Sequence, residues 1–230
     1  MNVVKRIWNS SLGKKYIMAL TGIALMGFVI AHLLGNLQIF LGPEALNRYG
    51  HFLQTTPELL WPLRIGLLAL TVLHIAAAVA LTRQNRAARP TPYAHFEVVA
   101  ASYASRTMLM SGIIILVFVI YHLLHFTVQL PQINLTGQDF RALEDAKERH
   151  DVYAMMVTGY RNPIVSGFYV IGIALLCLHL SHGISSMFQS LGWSSRAYAR
   201  LLDRLALAAA VVIFAGYCSI PAAVLLGWVK

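Results

Sequence analysis

The sequence predicts an all-α protein, an integral membrane bundle of five transmembrane helices with its N-terminus cytoplasmic and its C-terminus outside. Three observations predict it. Of 230 residues, 58% are hydrophobic and 12% charged, with a mean hydropathy of +0.64, whereas a soluble domain carries about 25% charged residues. Five apolar stretches approach the roughly 20 residues that carry a helix across a bilayer. The basic residues also gather on one side of the topology those stretches define.

In chain order, the spans are expected at about 16–41, 59–82, 107–130, 163–191 and 205–229, in a single domain covering 1–230. Each should be helical, because an open strand cannot satisfy its backbone in lipid. Residues 83–106 form a polar link with Arg83, Arg86, Arg89 and Arg106. The longest link, 131–162, has mixed charge and is expected to hold a short amphipathic surface helix around Gln138 to Met155. A short basic link, 192–204, follows. No repeat or low-complexity segment is evident. No cleavable leader is expected, because the first apolar run is too long and lacks a small-residue cleavage site. Cys177 and Cys218 both fall in apolar runs and suggest neither a disulfide framework nor a CxxC site.

Orientation follows from charge. The side holding the N-terminus and the two basic links carries eleven Lys and Arg against Glu97 and Asp203, and the other side carries seven against seven acids. The whole excess of +9 therefore lies on one face, which the positive-inside rule makes cytoplasmic. Topology accounts for the positive charge without nucleic acid. A docking surface for a soluble partner is compatible with the same charge.

Six of the nine histidines fall in the spans: His32, His74, His122, His125, His179 and His182. An imidazole in hydrocarbon needs a partner. A lone one reads as a helix-packing hydrogen-bond donor, but four helices each carrying one favour a cofactor. At about 1.5 Å per residue, His32 and His122 lie roughly 24 Å from the cytoplasmic boundary. On the same rise, His74 and His179 lie roughly 14–15 Å from it. Bis-histidine haem ligation needs two imidazoles at one depth on different helices, and each layer supplies a pair. The layers are about 10 Å apart, a spacing suited to electron transfer. Small residues near the histidines (Gly35, Ala77, Ala78, Gly183) could leave room for a macrocycle, although such residues are ordinary at helix contacts. His125 and His182, one turn from His122 and His179, remain open alternatives on depth alone.

Several stretches resemble a known family. They are "AHLLGNLQIFLGPEALNRYGHFLQ" from Ala31, "LHIAAA" from Leu73, "SRTMLMSGIIILVFVIYHLLHFT" from Ser105 and "NPIVSGFYVIGIALLCLHLSHGISSMFQSLGW" from Asn162. Together they resemble the cytochrome b558-type, di-haem, five-helix membrane anchor of succinate dehydrogenase and quinol:fumarate reductase. The resemblance implies two b haems, an outer one on His32 and His122 and an inner one on His74 and His179. It favours His122 over His125, and His179 over His182. It leaves His182 as a hydrogen-bond or propionate partner, and aligns His51 with a family histidine that is not a ligand.

The resemblance also implies a flavoprotein and an iron–sulfur subunit docked on the cytoplasmic face of a bacterial inner membrane. This chain has neither a dinucleotide fingerprint nor a cysteine cluster. Its expected role is to pass electrons between the iron–sulfur subunit and quinone, with menaquinone suggested by the two-haem class. Candidate propionate partners are Arg83, Arg106, His51 and His182. A quinone site needs proton donors, and the outer-side candidates are Glu58, His51, Tyr153, Arg161 and Asn162. Two readings compete: a di-haem cytochrome b of another quinone-linked dehydrogenase, and a transporter with a histidine relay. The relay would call for acidic residues among the spans, which have none in their apolar cores.

Overall fold

A computed structural model describes residues 2–88, 103–195 and 197–230, apart from the side chains of Val4 and residues 103–106. Arg89, His95, Glu97, Arg196 and the Arg106 side chain lie outside the described residues. Among the described residues the chain is helical, without strands beyond an isolated bridge between Glu144 and His150. Its helices are α1 (Val3–Asn9), α2 (Ser11–Asn36), α3 (Pro43–Gln54), α4 (Pro57–Ala87), α5 (Tyr103–His122), α6 (Val152–Arg161), α7 (Pro163–Ser190) and α8 (Ala199–Leu225). Five segments are long and apolar enough to cross a membrane: Ser11–Leu41, Pro57–Ala87, Thr107–Thr127, Pro163–Ser190 and Ala199–Leu225. The chain is thus a multi-pass membrane protein.

Local chemistry sets the helix ends. Ser10 caps α2 by accepting from Gly13 N at 2.9 Å. Pro43, Pro57 and Pro163 stand in the first turns of α3, α4 and α7, where a missing N–H costs nothing. Gly42, at φ +94°, reverses the chain between the 3₁₀ turn Leu37–Leu41 and α3, a conformation that suits glycine. The third span does not end as an α-helix. Residues Leu123–Thr127 widen into a π-turn, with Val128 N donating to Leu123 O at 2.7 Å.

In the bundle, α2 packs on α4, α7 and α8, while α7 packs on α5 and α8. The core lies between α6, α7, α8 and the end of α2, and includes Tyr160, Val165, Tyr169, Ile173, Ala210, Ile213 and Ile220. Leucines and isoleucines such as Leu68 on α4, Ile113 on α5 and Leu207 on α8 are exposed, as expected where the solvent is lipid.

The long link departs from the expected surface helix over Gln138–Met155. A 3₁₀ turn at Phe140–Ala142 leads into a tight loop, and the helix begins only at Val152. The departure arises from side chains that compete with the helical backbone. Asp145 accepts from the N–H groups of Lys147 and Arg149, and Asp151 caps α6 through Ala154 N. Arg149 bridges Asp145 at 2.6 Å and Glu44 at 2.8 Å, tying this loop to α3. Hydrogen bonds from Arg149 and Lys147 hold the Glu44 carboxyl down to about 2. A carboxylate with a lowered pKa keeps its contribution until pH falls through that value, so the clamp is constant across the physiological range.

Asn47, 1% exposed, joins the same parts from beneath. Its Nδ2 donates to Asp151 at 2.9 Å, and its Oδ1 accepts from Tyr153 N at 2.9 Å. Asn47→Leu removes both bonds, leaves Tyr153 N without its acceptor and is expected to cost about 1–3 kcal/mol, read as a lower thermal midpoint in detergent.

Candidate functional site: paired histidines between the helices

Each histidine pair spans helices that run in the same direction. His32 on α2 and His122 at the end of α5 bring their ring centres to 5.7 Å, with planes 80° apart. His74 on α4 and His179 on α7 stand 6.5 Å apart, planes at 62°. The second pair lies nearer the N-terminal side of the membrane and the first lies near the opposite side, by their positions along the helices. An imidazole nitrogen sits about 2 Å from a bound divalent metal, so two rings on one metal have centres roughly 6 Å apart. Among the described residues, no group of three or more His, Cys, Asp or Glu could hold a metal ion. Each pair could therefore serve a metal whose remaining donors come with it, as in a planar macrocycle.

Hydroxyls set the tautomers of the near pair. Thr21 Oγ1 lies 2.7 Å from Ile17 O, 3.2 Å from Met18 O and 2.9 Å from His74 Nδ1; with its one hydrogen donated to a carbonyl of its own helix, it accepts from His74. Ser111 does the same more loosely, donating to Met108 O and lying 3.4 Å from His179 Nδ1. Both imidazoles then carry hydrogen on Nδ1 and present an Nε2 lone pair, the arrangement that an outer hydrogen bond imposes on a metal-bound histidine. A glycine of the neighbouring helix lies against each ring. A Cβ on Gly22 would stand 3.5 Å from His74 Cε1, and one on Gly112 would stand 3.8 Å from His179 Cε1. The residues present fit a bis-imidazole cofactor on these two grounds: spacing and tautomer.

Around the far pair, the Phe28 ring stacks on His32 at 5.3 Å and Tyr217 lies at 6.3 Å. Tyr169 on α7, 2% exposed, places its hydroxyl 3.3 Å from His122 Nδ1 and 3.0 Å from His125 Nδ1. His125 is fully buried, among Tyr121, Phe126, Phe140 and Tyr169, and has no ring contact with His32. Thr21, Ser111 and Tyr169 were not singled out in the sequence. The cue available was a hydroxyl residue within an apolar run, which is equally common as a bond to its own helix.

The remaining candidates are scattered. His182 Nε2 lies 2.9 Å from Ser186 Oγ on its own helix. Arg83 follows His74 by nine residues and so faces roughly the opposite side of α4. There it lines a shallow cavity of about 570 Å³ with Trp8 and Lys14, to which none of the paired histidines contributes. Gly35 makes room for the Tyr49 ring, 2.8 Å from where its Cβ would be, rather than for space beside His32. His51 is exposed on α3, Glu58 on the first turn of α4 and Arg161 at the end of α6. Tyr153 is half-buried at the start of α6. Asn162 is engaged at both ends, capping α7 through Ile164 N at 3.0 Å and donating to Leu135 O at 3.2 Å.

Comparison with known proteins adds an independent line. The family described as the succinate dehydrogenase/fumarate reductase transmembrane subunit matches residues 82–216. That stretch contains α5, α7 and most of α8, with His122, His179 and Tyr169. No curated protein and no solved structure matches the chain. With more than half of its length matched, the chain belongs to the succinate dehydrogenase/fumarate reductase transmembrane subunit family.

Proposed function

We propose that this membrane anchor holds two b-type haems, an outer one on His32 and His122 and an inner one on His74 and His179. The observation that carries the reading is the pair of facing imidazoles in each layer, 5.7 and 6.5 Å between ring centres. A haem at each site supplies one-electron transfer across the bilayer, between an iron–sulfur partner and membrane quinone.

The chain's own residues hold and tune those sites. Two imidazoles per iron leave no open position, so oxygen binding is disfavoured. Thr21 and Ser111 orient the inner ligands, while the apolar walls keep water from the rings. The flavoprotein and iron–sulfur subunits dock on the side of the N-terminus, which is cytoplasmic in a bacterial inner membrane by the charge asymmetry. Dicarboxylate chemistry belongs to those partners. Quinone, with menaquinone the expected type, is handled on the opposite side near Glu58, His51, Tyr153, Arg161 and Asn162. Of these, Tyr153 and Asn162 are the half-buried ones.

The decisive test is a reduced-minus-oxidised spectrum of the purified complex, followed by titration with succinate and a quinone analogue. Two b haems per chain are expected, both reducible by succinate. Absence of b-type absorption would overturn the proposal, and an analogue bound only at the inner haem edge would remove the outer quinone site. Thr21→Val keeps the side-chain shape but deletes the acceptor of His74 Nδ1. It is expected to weaken inner haem retention by about 10- to 100-fold, with Thr21→Ser retaining it, read as haem per protein after dilution.

A further inference from the structure

We infer that Tyr169 is a positioning residue for the outer ligand His122, with His125 as the acceptor that fixes which way its hydroxyl points. The inference rests on the haem reading above and adds a hydrogen-bond chain to it.

The chain follows from counting hydrogens. Tyr169 has one hydroxyl hydrogen and meets two Nδ1 atoms, His122 at 3.3 Å and His125 at 3.0 Å. A neutral imidazole carries a single N–H. In one arrangement Tyr169 donates to His122, which then bears its hydrogen on Nε2 and offers no lone pair toward His32. In the other, His122 donates from Nδ1 to Tyr169, and Tyr169 donates to His125. Only the second leaves His122 Nε2 free to ligate. It also places the hydrogen of His125 on Nε2. Among the described residues, that Nε2 is the buried side-chain polar atom without a hydrogen-bond partner.

Buried polar atoms without a partner are rare and ask for a reason. His125 is fully buried between Phe126, 4.0 Å away, and Phe140 at 5.7 Å. A phenylalanine or leucine would pack there without the penalty. What those residues lack is a nitrogen lone pair aimed at Tyr169. The fold also accommodates the imidazole closely. Gly159 on α6 leaves the space where a Cβ would stand 2.9 Å from the Phe126 ring and 3.3 Å from His125 Cε1, and the π-turn after His122 carries His125 inward.

The consequence is electronic. A ligand imidazole that donates its second N–H to an acceptor becomes more basic. Tyr169 accepts from His122 more strongly when its own hydrogen is drawn toward His125, because chained hydrogen bonds polarise one another. A more basic ligand favours ferric iron, so the chain lowers the potential of the outer haem. The inner haem, oriented by Thr21 and Ser111, has no such chain.

Redox titration of the purified complex tests this. Tyr169→Phe is expected to raise one of the two haem components and leave the other in place. The shift should be about tenfold in reduced-to-oxidised ratio at fixed ambient potential, which is about 59 mV for a one-electron couple. His125→Asn, which keeps an acceptor for the Tyr169 hydroxyl, should stay close to wild type. His125→Leu should shift the same component upward. If Tyr169→Phe does not assemble, the Asn and Leu variants decide between them. Unchanged potentials in Tyr169→Phe, or indistinguishable Asn and Leu variants, would overturn the inference, since a purely structural His125 predicts that pattern. A wild-type complex with fewer than two haems would overturn the haem reading instead.

Discussion

Alanine at His74 or His179 is expected to halve the haem content, from two b haems per chain to one, and to leave the remaining haem's spectrum unchanged. The reason is geometric. Each ring pair closes across its own two helices, α4 with α7 and α2 with α5, and no ring contact links one layer to the other. On the proposed ligation, loss of one imidazole would remove half the protein ligands of one iron only. His32→Ala and His122→Ala should remove the complementary haem. His150→Ala is the control, because its Nε2 meets Gln129 at 3.0 Å in the long link, outside both layers. The measurement is pyridine haemochrome content per chain with low-temperature spectra. If His182→Ala lost a haem while His179→Ala kept both, the inner ligand would move to His182.

The second large effect is steric. Gly172 on α7 lies against the Phe118 ring of α5 so closely that a Cβ there would overlap it. Phe118 in turn packs on Tyr169 at 5.4 Å and on His122 at 6.3 Å. Gly172→Val would wedge α5 away from α7 where His122 and Tyr169 meet. Overpacking of this kind costs about 1–3 kcal/mol or more. The outer haem should be lost together with a lowered thermal midpoint, while the inner haem, deeper along α7, is retained. Gly167→Ala is the matched control on the same helix, since a Cβ there meets nothing within 4 Å. Equal effects from the two substitutions would sink the argument.

The five spans and the grouping of the histidines by depth were legible in the sequence because both depend on position along a helix alone. A residue's hydrophobicity and its rise of about 1.5 Å need no knowledge of neighbours. Rotation about the helix axis was harder to read. Arg83, at the right depth to serve a propionate, turns to the far side of α4 beside Trp8 and Lys14. Gly35, three residues from His32, makes room for Tyr49. The expected surface helix from Gln138 missed its start because Asp145 and Asp151 bind backbone N–H groups locally, and that competition depends on Arg149, Glu44 and Asn47 being in place.

The histidines themselves show the division most clearly. Sequence alone determined that imidazoles stand in hydrocarbon on four helices, in two layers, because burying a polar ring in lipid is costly enough to require a partner. Tertiary structure alone decided which groups meet the Nδ1 atoms of His74, His122, His125 and His179. Thr21 meets His74 Nδ1, and Tyr169 is shared between His122 and His125. A tautomer is set by the hydrogen bond on the opposite nitrogen, and the atom making that bond comes from a helix tens of residues away.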